Sequence, residues 1–258
     1  MSAQTQGARA ALAGSFALAA AVTRAGTAAL RLGAPGTRAR WERKNYAGRT
    51  VELYAGPASA VGTALAAARV HPAAGAAVLA AGACGAYDDV AGHLSGDTRR
   101  GFRAHLGALR NGEVTSGAVK LFGISAAGLA AGALLKERAL DKLLAGIVIA
   151  GTAHFVNLVD VRPGRAAGTV LALGAPGLLR TGPGAELSAA AMGAAAAVLP
   201  DDLGERAMLG DTGAHALGAT LGAAIVAGNR RTGLLAHAIA VVAAAAYEDR
   251  VTAAACSL

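Results

Sequence analysis

Apolar residues arrive along this chain in blocks of roughly 16 to 22 positions with short polar connectors between them, and within a block they ring the helix rather than marking one stripe. Helices that are hydrophobic all round belong in an apolar surrounding, so the pattern predicts membrane-crossing helices. Nine blocks are read, at about 10–33, 51–68, 72–87, 117–135, 143–159, 166–179, 185–199, from Gly210-Asp211-Thr212-Gly213 to about 228, and 234–247. Gly56-Pro57 interrupts the second, Pro176-Gly177 breaks the sixth, and the seventh stops at Pro200. A short surface helix is expected over Phe102 to Leu109, inside the longest polar stretch. The expectation is an all-α, polytopic integral membrane protein, one transmembrane domain over 1–258 with about nine transmembrane helices.

Composition sharpens this. Hydrophobic residues make up 54% and charged residues 16%, against about 25% charged in soluble domains. With 36 glycines and much alanine, single spans are weakly hydrophobic and must pack closely through small residues. The 24 Lys and Arg sit mostly in the connectors and form no stripe with aromatic partners, which points to membrane topology rather than nucleic-acid binding. Cys84 and Cys256 make no disulfide framework. An apolar run from Ala10 preceded only by Arg9, with Arg24 in its second half, reads as an uncleaved first span rather than a signal peptide.

Crossing parity puts Asp88-Asp89, Asp160 and Asp211 on one membrane face. That face carries 15 Lys and Arg against 8 on the other, so it is assigned to the cytoplasm, with the N-terminus outside and the C-terminus inside. The cytoplasmic loops are then about 37–50, 88–116, 160–165 and 200–213.

Polar chemistry gathers where the apolar blocks end. The block from Leu143 to Val159 leads into Asn157, Asp160 and the turn Arg162-Pro163-Gly164-Arg165, a cradle for a charged, oxygen-rich ligand. Four carboxylates on one face, Asp88, Asp89, Asp160 and Asp211, with Asn157 and Lys120 behind them, suit Mg²⁺ shared with substrate phosphates. Adjacent acids on a helix point about 100° apart, so Asp88 and Asp89 need not share a task. Plainer roles compete: Asp211 as the cap of its helix, the Arg162–Arg165 turn as a topogenic signal, Lys120 as an interface anchor, His105 as packing. His154 and His215 read as polar residues between helices, His71 and His237 fall on the opposite face, and Cys84 reads as core. No Walker signature is present.

Asp88-Asp89, Asn157-Leu158-Val159-Asp160 and Gly210-Asp211-Thr212-Gly213 resemble the three motifs of the polyprenyl-phosphate N-acetylhexosamine-1-phosphate transferases. A short Gram-positive branch of that superfamily is similar through Asn45-Tyr46-Ala47-Gly48-Arg49, Arg100 to Leu106, Thr115 to Lys120 and Asn157 to Arg165. The resemblance extends from about residue 37 to about residue 250. It implies transfer of a sugar 1-phosphate from a UDP-sugar, by default UDP-GlcNAc, to a polyprenyl phosphate with release of UMP. The reaction would depend on Mg²⁺, or Mn²⁺ in its place, at the cytoplasmic face of a bacterial inner membrane, with a homodimer among the expected assemblies. It further implies Asp211, Asp89 and Asp88 as both the catalytic residues and the metal ligands, Asp211 as the direct ligand, Asp88 orienting the acceptor phosphate and Asp89 supporting metal and diphosphate, with Asn157 and Asp160 on the nucleotide. Lys120, Arg103, Arg162 and Arg165 are expected on phosphates, with Asn45, His105 and His215 as further substrate contacts. Two departures stand out: the His-rich loop and tenth span of better-known members are not expected after Arg250, and His154 and His215 replace asparagines. Two other readings are a non-catalytic lipid-phosphate-binding or envelope-assembly relative, and a small membrane transporter.

Overall fold

The computed structural model describes residues 3–33, 35–92, 94 and 102–257; Asp97, Arg99 and Arg100, and the side chain of Arg103, lie outside the described residues. The described chain is mostly helical, as its apolar blocks require. α1 (Ala3–Gly33) begins earlier than expected and packs along α3 (Ala55–Val70) and α9 (Pro183–Leu203). Between α1 and α3 come a single turn, α2 (Arg38–Trp41), and a hairpin of β1 (Glu42–Lys44) and β2 (Thr50–Glu52). α4 (Pro72–Tyr87) runs into a π-helical turn, Asp88–Gly92, before α5 (Phe102–Arg110), α6 (Ser116–Leu135) and α7 (Ala139–Leu158). α8 (Arg165–Gly174) continues as a 3₁₀ segment, Ala175–Leu179, and α9 is followed by α10 (Gly210–Gly228), α11 (Arg231–Ala246) and α12 (Glu248–Ser257).

α10 is the axis of the bundle. Fifteen of its nineteen residues are buried, and it packs against α3, α4, α7 and α9. Glycine makes this possible: a Cβ on Gly218 would stand 2.6 Å from the Ala153 Cα, and one on Gly222 would stand 2.8 Å from the Ile149 Cα. Backbones that approach this closely exchange side-chain volume for direct helix contact, the packing expected of small-residue spans. Two cores flank the axis, one around Val78, Val148, Ile149 and Leu187, the other around Val156, Val170, Leu209 and Leu217.

Several local expectations are corrected. Pro57 does not interrupt a helix; it occupies the first turn of α3, where its missing N–H costs no helix bond. Pro200 does not stop α9, which runs one turn further to Leu203. The connector at 37–50 is not featureless: β1 and β2 pair antiparallel with Glu42 opposite Glu52 and Lys44 opposite Thr50. Glu52 also bridges Ala207, through Glu52 N–H to Arg206 C=O at 3.2 Å and Met208 N–H to Glu52 C=O at 2.9 Å. This clamps the connector onto the loop that leads into α10. The sixth block is broken where Pro176-Gly177 predicted, and the surface helix at 102–110 matches its expected span within a residue.

Each apolar block is helical over most of its length, the second only from Ala55, since its first residues belong to β2. Among the described residues, α6 and α7 are long and apolar enough to cross a membrane by length and composition, and Arg165–Leu179 and Arg231–Ala246 are shorter apolar helices. The ends of α7 and α11 nearest the connectors at 136–141 and 229–231 are tied together: Lys136 donates to the Asn229 carbonyl at 3.1 Å, and Arg231 pairs with Asp141 at 2.6 Å.

Candidate functional site

At the other end of the bundle, a cavity of about 530 Å³ opens among the ends of five helices, within the size range of small-molecule sites. Asp88 and Asp89 reach it from the π-helical turn after α4, Lys120 from the second turn of α6, Asn157 from the last turn of α7, Asp160 from the turn beyond, and Asp211 from the first turn of α10. Residues as far apart in the chain as Asp88 and Asp211 therefore converge on one site.

The neighbouring acids divide their work, as the 100° step between them allows. Asp88 accepts a hydrogen bond from Lys120 Nζ at 2.7 Å, and the same ammonium pairs with Asp211. Asp89 turns instead to the start of α10. Its Oδ1 accepts from Asp211 N–H at 3.0 Å, and its Oδ2 accepts from Thr212 N–H at 3.0 Å and Thr212 Oγ1 at 2.6 Å. A carboxylate supplied by another segment thus caps the open N–H groups of the helix and faces the positive end of its dipole. Gly85 allows the reach, since a Cβ there would collide with the Asp211 backbone. Gly210 takes φ +59, and a Cβ on it would lie 3.0 Å from both Asp89 oxygens. Burial, with the Asp211 charge beside it, pushes the Asp89 carboxyl up to about 6 against the three donors that favour its ionised form.

Asn157 lies beside Asp211. Asp160 is held well above the usual carboxylate range, first by burial and then by the charges of Asp202, Asp211 and Asp89. His105 lines the cavity, hydrogen-bonded through Nδ1 to Thr115 Oγ1 at 2.9 Å, while the same Thr115 oxygen caps α6 by accepting from Ala118 N–H. His215 stands behind the site: fully buried, it donates from Nδ1 to the Asp211 carbonyl at 2.7 Å and so fixes the first turn that carries Asp211.

Besides His215, three expected contacts are not brought to the cavity lining. Asn45 closes the β1–β2 turn, its Oδ1 accepting from Ala47 N–H at 3.0 Å and Arg49 N–H at 2.9 Å, while its Nδ2 donates to Glu205 at 2.7 Å. Arg162 lies over the Tyr46 ring at 5.6 Å, and Arg165 opens α8. The turn between these arginines is itself fixed, for Gly164 takes φ +77 and its N–H donates to buried Asp202 at 2.8 Å.

The sequence reading missed one wall. Glu248, Asp249 and Thr252 of α12 line the cavity, and Thr252 Oγ1 donates to the Leu158 carbonyl at 3.3 Å, tying α12 to the end of α7. The signal was present, because Glu248-Asp249 follows an apolar block just as Asp88-Asp89 does.

No family model and no curated protein matches the chain. Among the described residues no group of three or more His, Cys, Asp or Glu side chains is set to hold a metal ion. The pair Asp88 and Asp211 nevertheless converges on one positive charge, the Lys120 ammonium. Mg²⁺ in phosphate sites is held by one or two carboxylates, with water and substrate oxygens completing the shell, so this pair suits it.

Proposed function

We propose that this protein transfers a sugar 1-phosphate, by default GlcNAc 1-phosphate, from a UDP-sugar to a polyprenyl phosphate, releasing UMP. It works as a nine-span protein of a bacterial inner membrane, with the cavity facing the cytoplasm. The observation that carries the reading is the meeting of Asp88, Asp211, Lys120, Asn157 and Asp160 in one cavity at helix ends. These residues come from the segments whose order and spacing resemble the transferase motifs.

The chemical difficulty is to bring two phosphate-bearing molecules together. An acceptor phosphate oxygen forms a bond to the sugar-bearing phosphorus, and the bond from that phosphorus to the oxygen of the departing UMP breaks. Lys120 offsets negative charge on the phosphates, from a position where two carboxylates hold its ammonium in place. Asp88 and Asp211 would hold Mg²⁺, which supplies charge neutralisation to the diphosphate. Asp89 positions Asp211 by anchoring the first turn of α10, and His215 braces that turn from behind. Asn157 offers an amide to the nucleotide or sugar.

Purified protein given Mg²⁺, undecaprenyl phosphate and a panel of UDP-sugars should form UMP and a lipid diphosphate sugar, and Asp211→Asn should stop both. No turnover with any UDP-sugar overturns the reading. One observation favours a second, a non-catalytic binder of lipid phosphate: Lys120 already neutralises the carboxylate pair. Saturable polyprenyl phosphate binding without product, across the same panel, selects that alternative.

A further inference from the structure

A second cavity, of about 320 Å³, lies beside the first and shares Asp89 with it. Trp41, Pro57, Ala86 and Val90 give it an apolar wall, formed where α2 and the start of α3 fold over the end of α4. Arg40 and Arg43 stand on its lining, and Asp89 is the carboxylate there. Both Asp89 oxygens are already engaged by the start of α10, so that acid is turned from the cavity's cations. The two terminal nitrogens of Arg43 donate to backbone carbonyls, those of Arg40 at 3.0 Å, Glu42 at 2.8 Å and Asp89 at 2.7 Å, neutral groups that leave its charge unbalanced. Among the described residues neither guanidinium is paired with a carboxylate. An apolar cleft bordered by two cations without counter-charges is complementary to an apolar chain that ends in a phosphate.

We propose that this cavity is a binding subsite for a phosphorylated isoprenoid lipid, its chain against Trp41, Pro57 and Ala86 and its phosphate between Arg40 and Arg43. Asp89 stands on both linings, so a lipid phosphate seated here lies beside the wall of the larger cavity. The inference rests on the transferase reading for the identity of the lipid, and on the cavity itself for its place.

Trp41 is the only tryptophan of the chain, so its emission reports occupancy without any turnover. Intact protein in detergent is titrated with farnesyl phosphate, with farnesol and with inorganic phosphate. Farnesyl phosphate should change Trp41 emission saturably, whereas farnesol and inorganic phosphate each bind at least tenfold more weakly. Arg40→Gln, an exposed change, should weaken farnesyl phosphate at least tenfold, and Ala86→Leu should fill the cleft and remove the response. Asp211→Asn should leave it in place. Equal binding of inorganic phosphate, equal binding of farnesol, or an unchanged titration in both Arg40→Gln and Ala86→Leu overturns the proposal. Binding without UMP release defeats the transferase reading and spares the subsite; turnover without the Trp41 response does the reverse.

Discussion

Asp89 and Thr212, 123 positions apart, are joined twice, the Asp89 Oδ2 accepting from the Thr212 N–H at 3.0 Å and from its hydroxyl at 2.6 Å. With the Asp211 N–H on the other oxygen, the first turn of the central helix is built on an acid from a distant segment. Removing that acid orphans three donors, at about 1–3 kcal/mol for a buried group left unsatisfied. Asp89→Ala should therefore lower the melting temperature in detergent by several degrees, since 1 kcal/mol corresponds to about 2–4 °C for a chain of this size. It should also lose activity, with Asp211 no longer held. A melting temperature unchanged from wild type would contradict the anchoring role.

The same carboxyl makes a pH prediction with a definite sign. Its folded value of about 6 lies above the ordinary 3.8. The folded protein therefore takes up this proton before the unfolded chain does, and stability from this group rises as pH falls. The contribution is fully present below about 3.8 and is lost as pH rises through about 6. Its size is on the order of 3 kcal/mol. Melting curves of wild type and Asp89→Asn at pH 7.5 and pH 5 should show the wild type gaining on the variant at the lower pH, and a gap that moves the other way refutes the assignment.

Much of this architecture was legible in the blocks themselves. α4 and α6 begin and end within a residue or so of the apolar runs that predicted them, because an all-round apolar segment has one stable form when its backbone must bond internally. The grouping of Asp88, Asp160 and Asp211 was legible through crossing parity, since an even number of helices between acids returns them to one end. Contacts made across loops were hidden. Asn45 sits in a motif that looked like a ligand site, yet it holds a turn against Glu205, and a side chain that bonds its own backbone two residues on carries the same sequence signature. Asp89 as a cap for α10 was also hidden, because capping usually comes from the residue just before a helix and here comes from another helix altogether.

Gly85 tests the close approach that brings the acids together. A Cβ at this position would meet the backbone of Asp211, which has no flexible end to yield. Gly85→Ala should cost about 1–3 kcal/mol as overpacking and displace the start of α10, with activity falling alongside stability. Gly14 has nothing within 4 Å of a Cβ, so Gly14→Ala should be neutral or stabilise by up to about 1 kcal/mol through helix propensity. Similar melting shifts from the two substitutions would remove the contact from the argument.

Lys120 supplies one ammonium to two neighbouring carboxylates, Asp88 and Asp211. Lys120→Met leaves that pair without its counter-charge, and because the three groups are partly buried the cost falls below the figure for a fully buried pair, about 3–5 kcal/mol. The variant should melt well below wild type in chelator and recover more than wild type does when Mg²⁺ is added, because the metal supplies the missing charge at Asp88 and Asp211. Asp211→Asn in the same background should cancel the recovery. Equal Mg²⁺ responses in wild type and Lys120→Met would show that the pair does not take the ion.

The proposed membrane arrangement can be tested at the two ends of the bundle. Lys136, Asp141, Asn229 and Arg231 are tied to one another at one end, and the cavity with Asp88, Asp160 and Asp211 occupies the other. If the bundle crosses a bilayer, cysteines introduced at these ends must face opposite compartments. With Cys84 and Cys256 replaced by alanine, Thr37→Cys and Pro163→Cys should react with a membrane-impermeant maleimide only after permeabilisation, while Arg138→Cys and Arg230→Cys should react in intact cells. Thr37 precedes α2 and Pro163 lies in the turn fixed by Asp202, so neither substitution touches the cavity lining. Labelling of Pro163→Cys and Arg230→Cys from the same side would set these ends in one compartment and end the nine-span account.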